Sequence, residues 1–132
     1  MKIISFAWTT NAFLAGNKTE TRRDWDDKYA RSFHKGDIVQ AYDKNPRAGG
    51  KLIGFIRLTE DPFKQWLHDM TDADEIAEGH LWGSAEKYRE AMGKDRQVWV
   101  IKFENATEGV RIKQETELMK VILGNRLFGG GK

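Results

Sequence analysis

The chain opens on a short apolar run, "KIISFAW" (Lys2–Trp8), whose β-branched and aromatic residues predict a buried strand. "TTNAFLAG" follows with a threonine cap, a brief apolar helical stretch and a glycine stop at Gly16. "KTETRRDW" (Lys18–Trp25) alternates enough for an extended segment, and "DDKYARSFH" reads as a second short helix. "KGD" then turns into the strand "IVQAYD", and the loop "KNPRAGG" separates it from "KLIGFIRLTE", predicting an antiparallel hairpin with a long loop. From Asp61 to Gly93 the spacing predicts helices in "PFKQWLHDM", "DADEIAEGH" and "SAEKYREAMG", the last two capped by Asp72 and Ser84. "RQVWVIKFE" restores strict alternation: Val98, Val100 and Lys102 share one face, and the heavier Trp99, Ile101 and Phe103 share the core-facing one. Beyond Glu104 the pattern allows a short strand at Val110–Ile112 and a helix within Glu115–Phe128, ahead of a glycine-rich end. Four to six short strands with helices among them make an α+β fold, and a small, partly closed barrel buries both faces of such strands.

Composition narrows the chemistry. The 132 residues fit one domain with a core of its own. With no cysteine, disulfides, thiolate metal sites and cysteine nucleophiles are excluded. "MKIISFAW" is too short and too soon polar for a secretory signal, and no uncharged apolar run is long enough for a bilayer, so the expectation is a soluble, cytoplasmic monomer without membrane association. A formal net charge of +2 is too nearly balanced for a polyelectrolyte that coats nucleic acid. His34, His68 and His80 lack ligand-like spacing, so no metal is expected.

The stretch "GNKTETRR" (Gly16–Arg23) concentrates cations, a carboxylate and threonines in eight residues. It has the form G-x-K-T-x-T-x-R, met by Gly16, Lys18, Thr19, Thr21 and Arg23. With the "KGD" strand, the "AEGH" of the acidic helical insert and the closing "VWVIKFE" strand in that order, the first 104 residues resemble the ASCH superfamily of PUA-like barrels, leaving residues 105–132 as an extension. The resemblance implies a small mixed β-barrel with short helices inserted around it. It also implies an amidohydrolase that removes the acyl group from N4-acylated cytosine or cytidine, N4-acetylcytidine among them, without a cofactor. The family's lysine, threonine and glutamate fall on Lys18, Thr21 and Glu78, with Glu75 and Asp74 as competing matches for the carboxylate. Trp8, Thr19, Arg23, His80 and Trp82 are the expected substrate contacts, whereas Glu75, Glu86 and Glu90 read as solvated helix surface.

The residue chemistry is compatible with amide hydrolysis. It needs a nucleophile, a base, oxyanion donors and an acid for the leaving nitrogen. Lys18 serves as base only if burial or neighbouring cations lower its pKa. In an ideal strand Lys18 and Thr21 point to opposite faces, so Lys18 is placed at a loop end, where Gly16 and Asn17 can turn the chain, while Thr19, Thr21 and Arg23 share a face. Either Thr21 is the nucleophile, or Glu78 activates a water and Lys18 holds the oxyanion. A different class of function is an RNA-binding module, possessing ribonuclease activity in one variant, with Lys18, Arg22, Arg23, Arg31, Lys35, Lys44, Arg47 and Lys51 as a basic edge.

Overall fold

The structure is a computed structural model and describes residues 1–124. Its strands are β1 (Ile3–Ser5), β2 (Glu20–Arg23), β3 (Ile38–Tyr42), β4 (Leu52–Leu58), β5 (Phe63–Trp66) and β6 (Gln97–Asn105). Its helices are α1 (Thr10–Leu14), α2 (Asp27–Ala30), α3 (Asp72–Ala77), α4 (Ala85–Met92) and α5 (Thr107–Gly124). The strands form one curled six-stranded sheet, a half-barrel, in the order β1-β3-β4-β6-β2, with β5 also on β6. This is the small mixed α+β architecture that the apolar pattern predicts. No helix among the described residues is long and apolar enough to cross a membrane.

β6 organises the sheet because it is longer than any one partner. β4 pairs only with its C-terminal end, through Ile56↔Asn105 to Leu58↔Phe103. The unpaired stretch beyond would strand its backbone groups, and β5 fills it, from Phe63↔Val100 to Trp66↔Gln97. Here the structure corrects the helix expected over "PFKQWLHDM": residues 63–66 are strand and only Leu67–Asp69 coil, as a 3-10 turn. Short apolar runs do not separate the two periods, and the open edge of β6 decides for strand. β2 takes the other edge, Glu20↔Lys102 to Arg23↔Trp99.

The main core lies inside the curl, where Phe6, Phe13, Phe33, Val39, Ile56, Ile101 and Phe103 pack together. A second cluster, Leu67, Met70, Ala85, Tyr88 and Val98, lies under α4. The heavier face of β6 therefore looks into the main core as expected, and the insert covers the lighter one. Gly54 on β4 permits a close approach: a Cβ there would stand 2.3 Å from Thr107 Oγ1, the hydroxyl that accepts from Phe55 N at 3.0 Å. That contact pins the start of α5. The strand expected at Val110–Ile112 is a continuous part of this helix, since it lies at no free sheet edge. The rest of the predicted C-terminal helix, 125–128, lies outside the described residues.

Candidate functional site

The turn after α1 sets the site. Gly16 adopts φ +79°, its N–H returns to Phe13 O at 3.0 Å and the next N–H, of Asn17, returns to Ala12 O at 2.8 Å. This pair of bonds is a Schellman stop, in which glycine takes the left-handed position without the cost a Cβ would impose. The chain leaves it pointing at β6, and Lys18 falls in the non-strand link ahead of β2. Its side chain is thereby freed from the alternation of β2 and turns inward, to 3% exposure. Thr21 and Arg23 follow on β2.

Glu78 arrives from the insert. Thr71 and Asp74 close a capping box at the start of α3, so Thr71 is the N-cap in place of the expected Asp72, whose Oδ1 instead accepts from Ala85 N at 2.9 Å. Glu78 is the C-cap of that helix, and Gly79 follows with φ +122°, where a Cβ would come within 2.9 Å of Ala12 Cβ. The absence of that Cβ lets the end of α3 lie on α1, and the carboxylate of Glu78 is carried to Lys18. Lys18 Nζ donates to the Glu78 backbone oxygen at 2.8 Å and to its Oε1 at 3.4 Å.

Burial dominates the electrostatics. It lowers the Lys18 pKa to about 8, helped by the Arg23 and Arg22 charges and opposed by Glu78. Arg22 is the opposite case, a buried cation met by several anions. It donates to Glu78 Oε2 at 3.0 Å and to Glu20 Oε1 at 3.1 Å, and to Gln65 Oε1 at 3.0 Å. Asp74 Oδ2 stands 3.4 Å from its Nη2, within ion-pair reach but unaligned for a hydrogen bond. Tyr88, buried on α4, has its phenol pKa raised first by burial and then by the Glu78 charge. It stays protonated and is available as a donor.

A cleft of about 210 Å³ brings together Lys18, Thr21, Arg23, Glu78, Trp8 and Trp82, with Phe6, Tyr88 and Met92 among the other residues of its walls. Trp8 is 80% exposed at the rim, thrown outward by the 3-10 turn Ala7–Thr9. Trp82 packs edge-on against Tyr88 with ring centroids 4.5 Å apart. Two expected contacts lie elsewhere. Thr19 is exposed and absent from the cleft walls; its backbone bridges Ala77 O and Phe103 N. His80 turns away because its left-handed backbone, φ +57°, directs Nδ1 to Glu75 Oε1 at 2.5 Å.

Glu75 overturns the expectation of a solvated helix surface. It is fully buried, and its Oε2 accepts from the backbone N–H groups of Trp82 and Gly83 at 3.1 and 3.2 Å. It anchors the loop that carries Trp82 and is not in contact with Lys18; Glu86 and Glu90 are exposed as expected. Replacing Glu75 by alanine leaves two partly buried N–H groups without their acceptor. The expected cost is about 2–4 kcal/mol, to be read from denaturant unfolding. Tyr88 was not singled out by sequence reasoning, although its spacing from Ala85 and Met92 marks the buried face of α4. The proposed basic edge is also broken, because Lys18 and Arg22 are buried in ion pairs while Lys44, Arg47 and Lys51 are not buried.

No family model matches the chain, and no curated protein matches it in sequence. Its fold is similar to the crystal structure of protein EF3133 from Enterococcus faecalis V583, described by the family model DUF984. The superposition has a TM-score of 0.56 and covers 80% of this chain and 76% of that one, at 13% identity. Likeness at that identity concerns the fold.

Proposed function

We propose that this chain is an ASCH-type, PUA-like barrel that hydrolyses the acyl amide on the exocyclic nitrogen of a cytosine base or nucleoside. The observation that carries the reading is the amine of Lys18, buried in a cleft with Thr21 and held near pKa 8. An ordinary lysine, with a pKa near 10.4, is almost wholly protonated at neutral pH. At pKa about 8, roughly one amine in ten is neutral at pH 7. In that form its two hydrogens have acceptors in the two Glu78 oxygens, and its lone pair is left for the cleft.

In the proposed reaction Lys18 takes the proton of Thr21 as the threonine oxygen attacks the acyl carbon. Arg23 and the Tyr88 phenol supply hydrogen bonds to the developing oxyanion. Collapse breaks the bond to the cytosine nitrogen, which receives the proton held on Lys18. A water then attacks the Thr21 ester, again giving its proton to Lys18; the carboxylic acid departs and the threonine hydroxyl is restored. A heteroaryl amine leaves more readily than a peptide amine, so a modest site suffices. Trp8, exposed at the rim, and Trp82 offer flat faces for the base. A neutral base also suits a cleft that holds the Glu78 carboxylate, which would repel a phosphate chain.

The test is an ultraviolet assay of cytidine release from N4-acetylcytidine by chelator-treated protein, beside Thr21→Ala and Glu78→Gln. Turnover by wild type and its loss in folded variants is expected. Absence of turnover across a panel of N4-acyl cytosines overturns the reading, and salt-dependent RNA binding becomes the measurement that follows.

A further inference from the structure

A second cavity lies on the far side of Arg23, and nothing in the chemistry above uses it. It encloses about 280 Å³ between Ile3, Ser5, Arg23, Trp25, Tyr29 and Asn45. Ser5 and Arg23 also line the cleft, so the two spaces abut. The position follows from the topology: β1 and β2 are the two ends of the sheet order, and the half-barrel leaves a seam between them. Arg23 spans that seam, with Nη2 donating to Ser5 O at 2.6 Å.

Charge balance is uneven across this seam. Lys18 has Glu78 beside it, and Arg22 has Glu20, Asp74 and Glu78. Arg23 makes no ion pair among the described residues, and its Nε is shut away from solvent without a hydrogen-bond partner. The Glu78 carboxylate acts on Arg23 from the cleft without forming an ion pair and does not offset the burial of the guanidinium; such a group is costly to hold and can receive a doubly accepting anion. No acidic residue lines the seam cavity, whereas Glu78 lines the cleft. A standing phosphate dianion is therefore favoured on the seam side of Arg23, whereas on the cleft side Glu78 opposes it and only the transient oxyanion of the reaction, held also by Tyr88, is placed there. At about 280 Å³, with Trp25 and Tyr29 in its walls, the cavity is larger than a bare ion requires.

We propose that the seam cavity is an anion subsite that takes the phosphate of a nucleoside monophosphate whose base occupies the cleft. This deepens the cytosine reading and rests on it for the base. The ligand lies across the Ser5–Arg23 bridge, with its neutral base toward Glu78 and its phosphate on the seam side of the guanidinium, whose Nε has no partner in the protein. The enzyme then discriminates in favour of nucleotides over free nucleosides.

The products, which do not react, test this with the full chain. Cytidine 5′-monophosphate and cytidine are titrated calorimetrically into wild type and Asn45→Asp, and inorganic phosphate is tested by its effect on the melting temperature. Asn45 Oδ1 accepts from Arg47 N at 2.9 Å, an acceptor that aspartate retains while adding a negative charge to the cavity wall. The expected result is about tenfold tighter binding of the monophosphate than of cytidine. In Asn45→Asp this preference disappears and cytidine affinity is unchanged. Equal affinities in wild type overturn the subsite and leave the cytosine reading standing. Should neither cytosine ligand bind while phosphate stabilises wild type but not Asn45→Asp, the anion subsite holds and the cytosine reading falls. No response to any of the three overturns both.

Discussion

Replacing Lys18 by methionine is expected to lower hydrolysis of N4-acetylcytidine by about 10²–10⁴-fold, the range ascribed to a positioned general base. Methionine preserves most of the aliphatic stem that passes the Phe6 ring, over which Nζ stands 5.4 Å from the centroid. Glu78 retains its bond from Arg22 at 3.0 Å, so the carboxylate is still held. The pH profile distinguishes the role of Lys18 from simple positioning. A general base acts when neutral, and the Lys18 pKa is depressed to about 8 by burial, so under the proposed mechanism wild-type activity is expected to rise about tenfold per pH unit below that value. It levels off above. A lysine that served as a cationic oxyanion donor would give the opposite limb, with activity falling as pH passes 8. In Lys18→Met the rising limb should vanish from whatever activity persists.

Arg22→Met is expected to produce the largest loss of stability, about 3–5 kcal/mol, because it removes one partner of a buried ionic cluster. Arg22 is 8% exposed, with Glu20 and Glu78 at 8% and 3%. Without the guanidinium these carboxylates face one another and Asp74, with Lys18 in contact with Glu78 and only the more distant charges of Lys102 and Arg23 to compensate them. Burial already raises the Glu20 pKa, and Arg22 opposes that rise; deleting Arg22 raises it further. A carboxyl whose folded pKa exceeds its unfolded value binds more protons in the folded state between the two. Stability in that window falls as pH rises and is recovered as pH falls. The deficit of Arg22→Met relative to wild type should therefore shrink on acidification through the carboxylate range. Denaturant unfolding at several pH values measures it, and a deficit constant with pH would show that packing, not charge, is what Arg22 supplies.

Local signals carried much of the architecture. The strands at β1, β3, β4 and β6 and the helix α4 with its Ser84 cap follow from alternation, 3.6-residue spacing and capping chemistry, because each is a preference of neighbouring residues. The Schellman stop at Gly16 was likewise readable, and with it the release of Lys18 from the parity of β2. These features need nothing beyond a few residues of the same segment. Glu78 as the carboxylate beside Lys18 came from resemblance in motif order, with Glu75 and Asp74 equally open to a reading of helix spacing alone.

Tertiary structure decided what depends on distant partners. β5 is a strand because β6 outruns β4 and its exposed backbone groups need hydrogen bonds, a demand invisible in "PFKQWLHDM". Glu75 and Glu78 share a helix face, yet one holds the Trp82 loop and the other meets Lys18, because Gly79 lets the end of α3 close on α1. The depressed pKa of Lys18 required burial, which a charged stretch such as "GNKTETRR" does not foretell. Arg23 lies between two cavities only because the half-barrel stops short of closure at β1 and β2. Residue types determined by themselves which chemistry was available; the long-range packing of α1, α3 and the sheet edges determined which groups meet, since separations of tens of residues are bridged by the fold and not by local propensity.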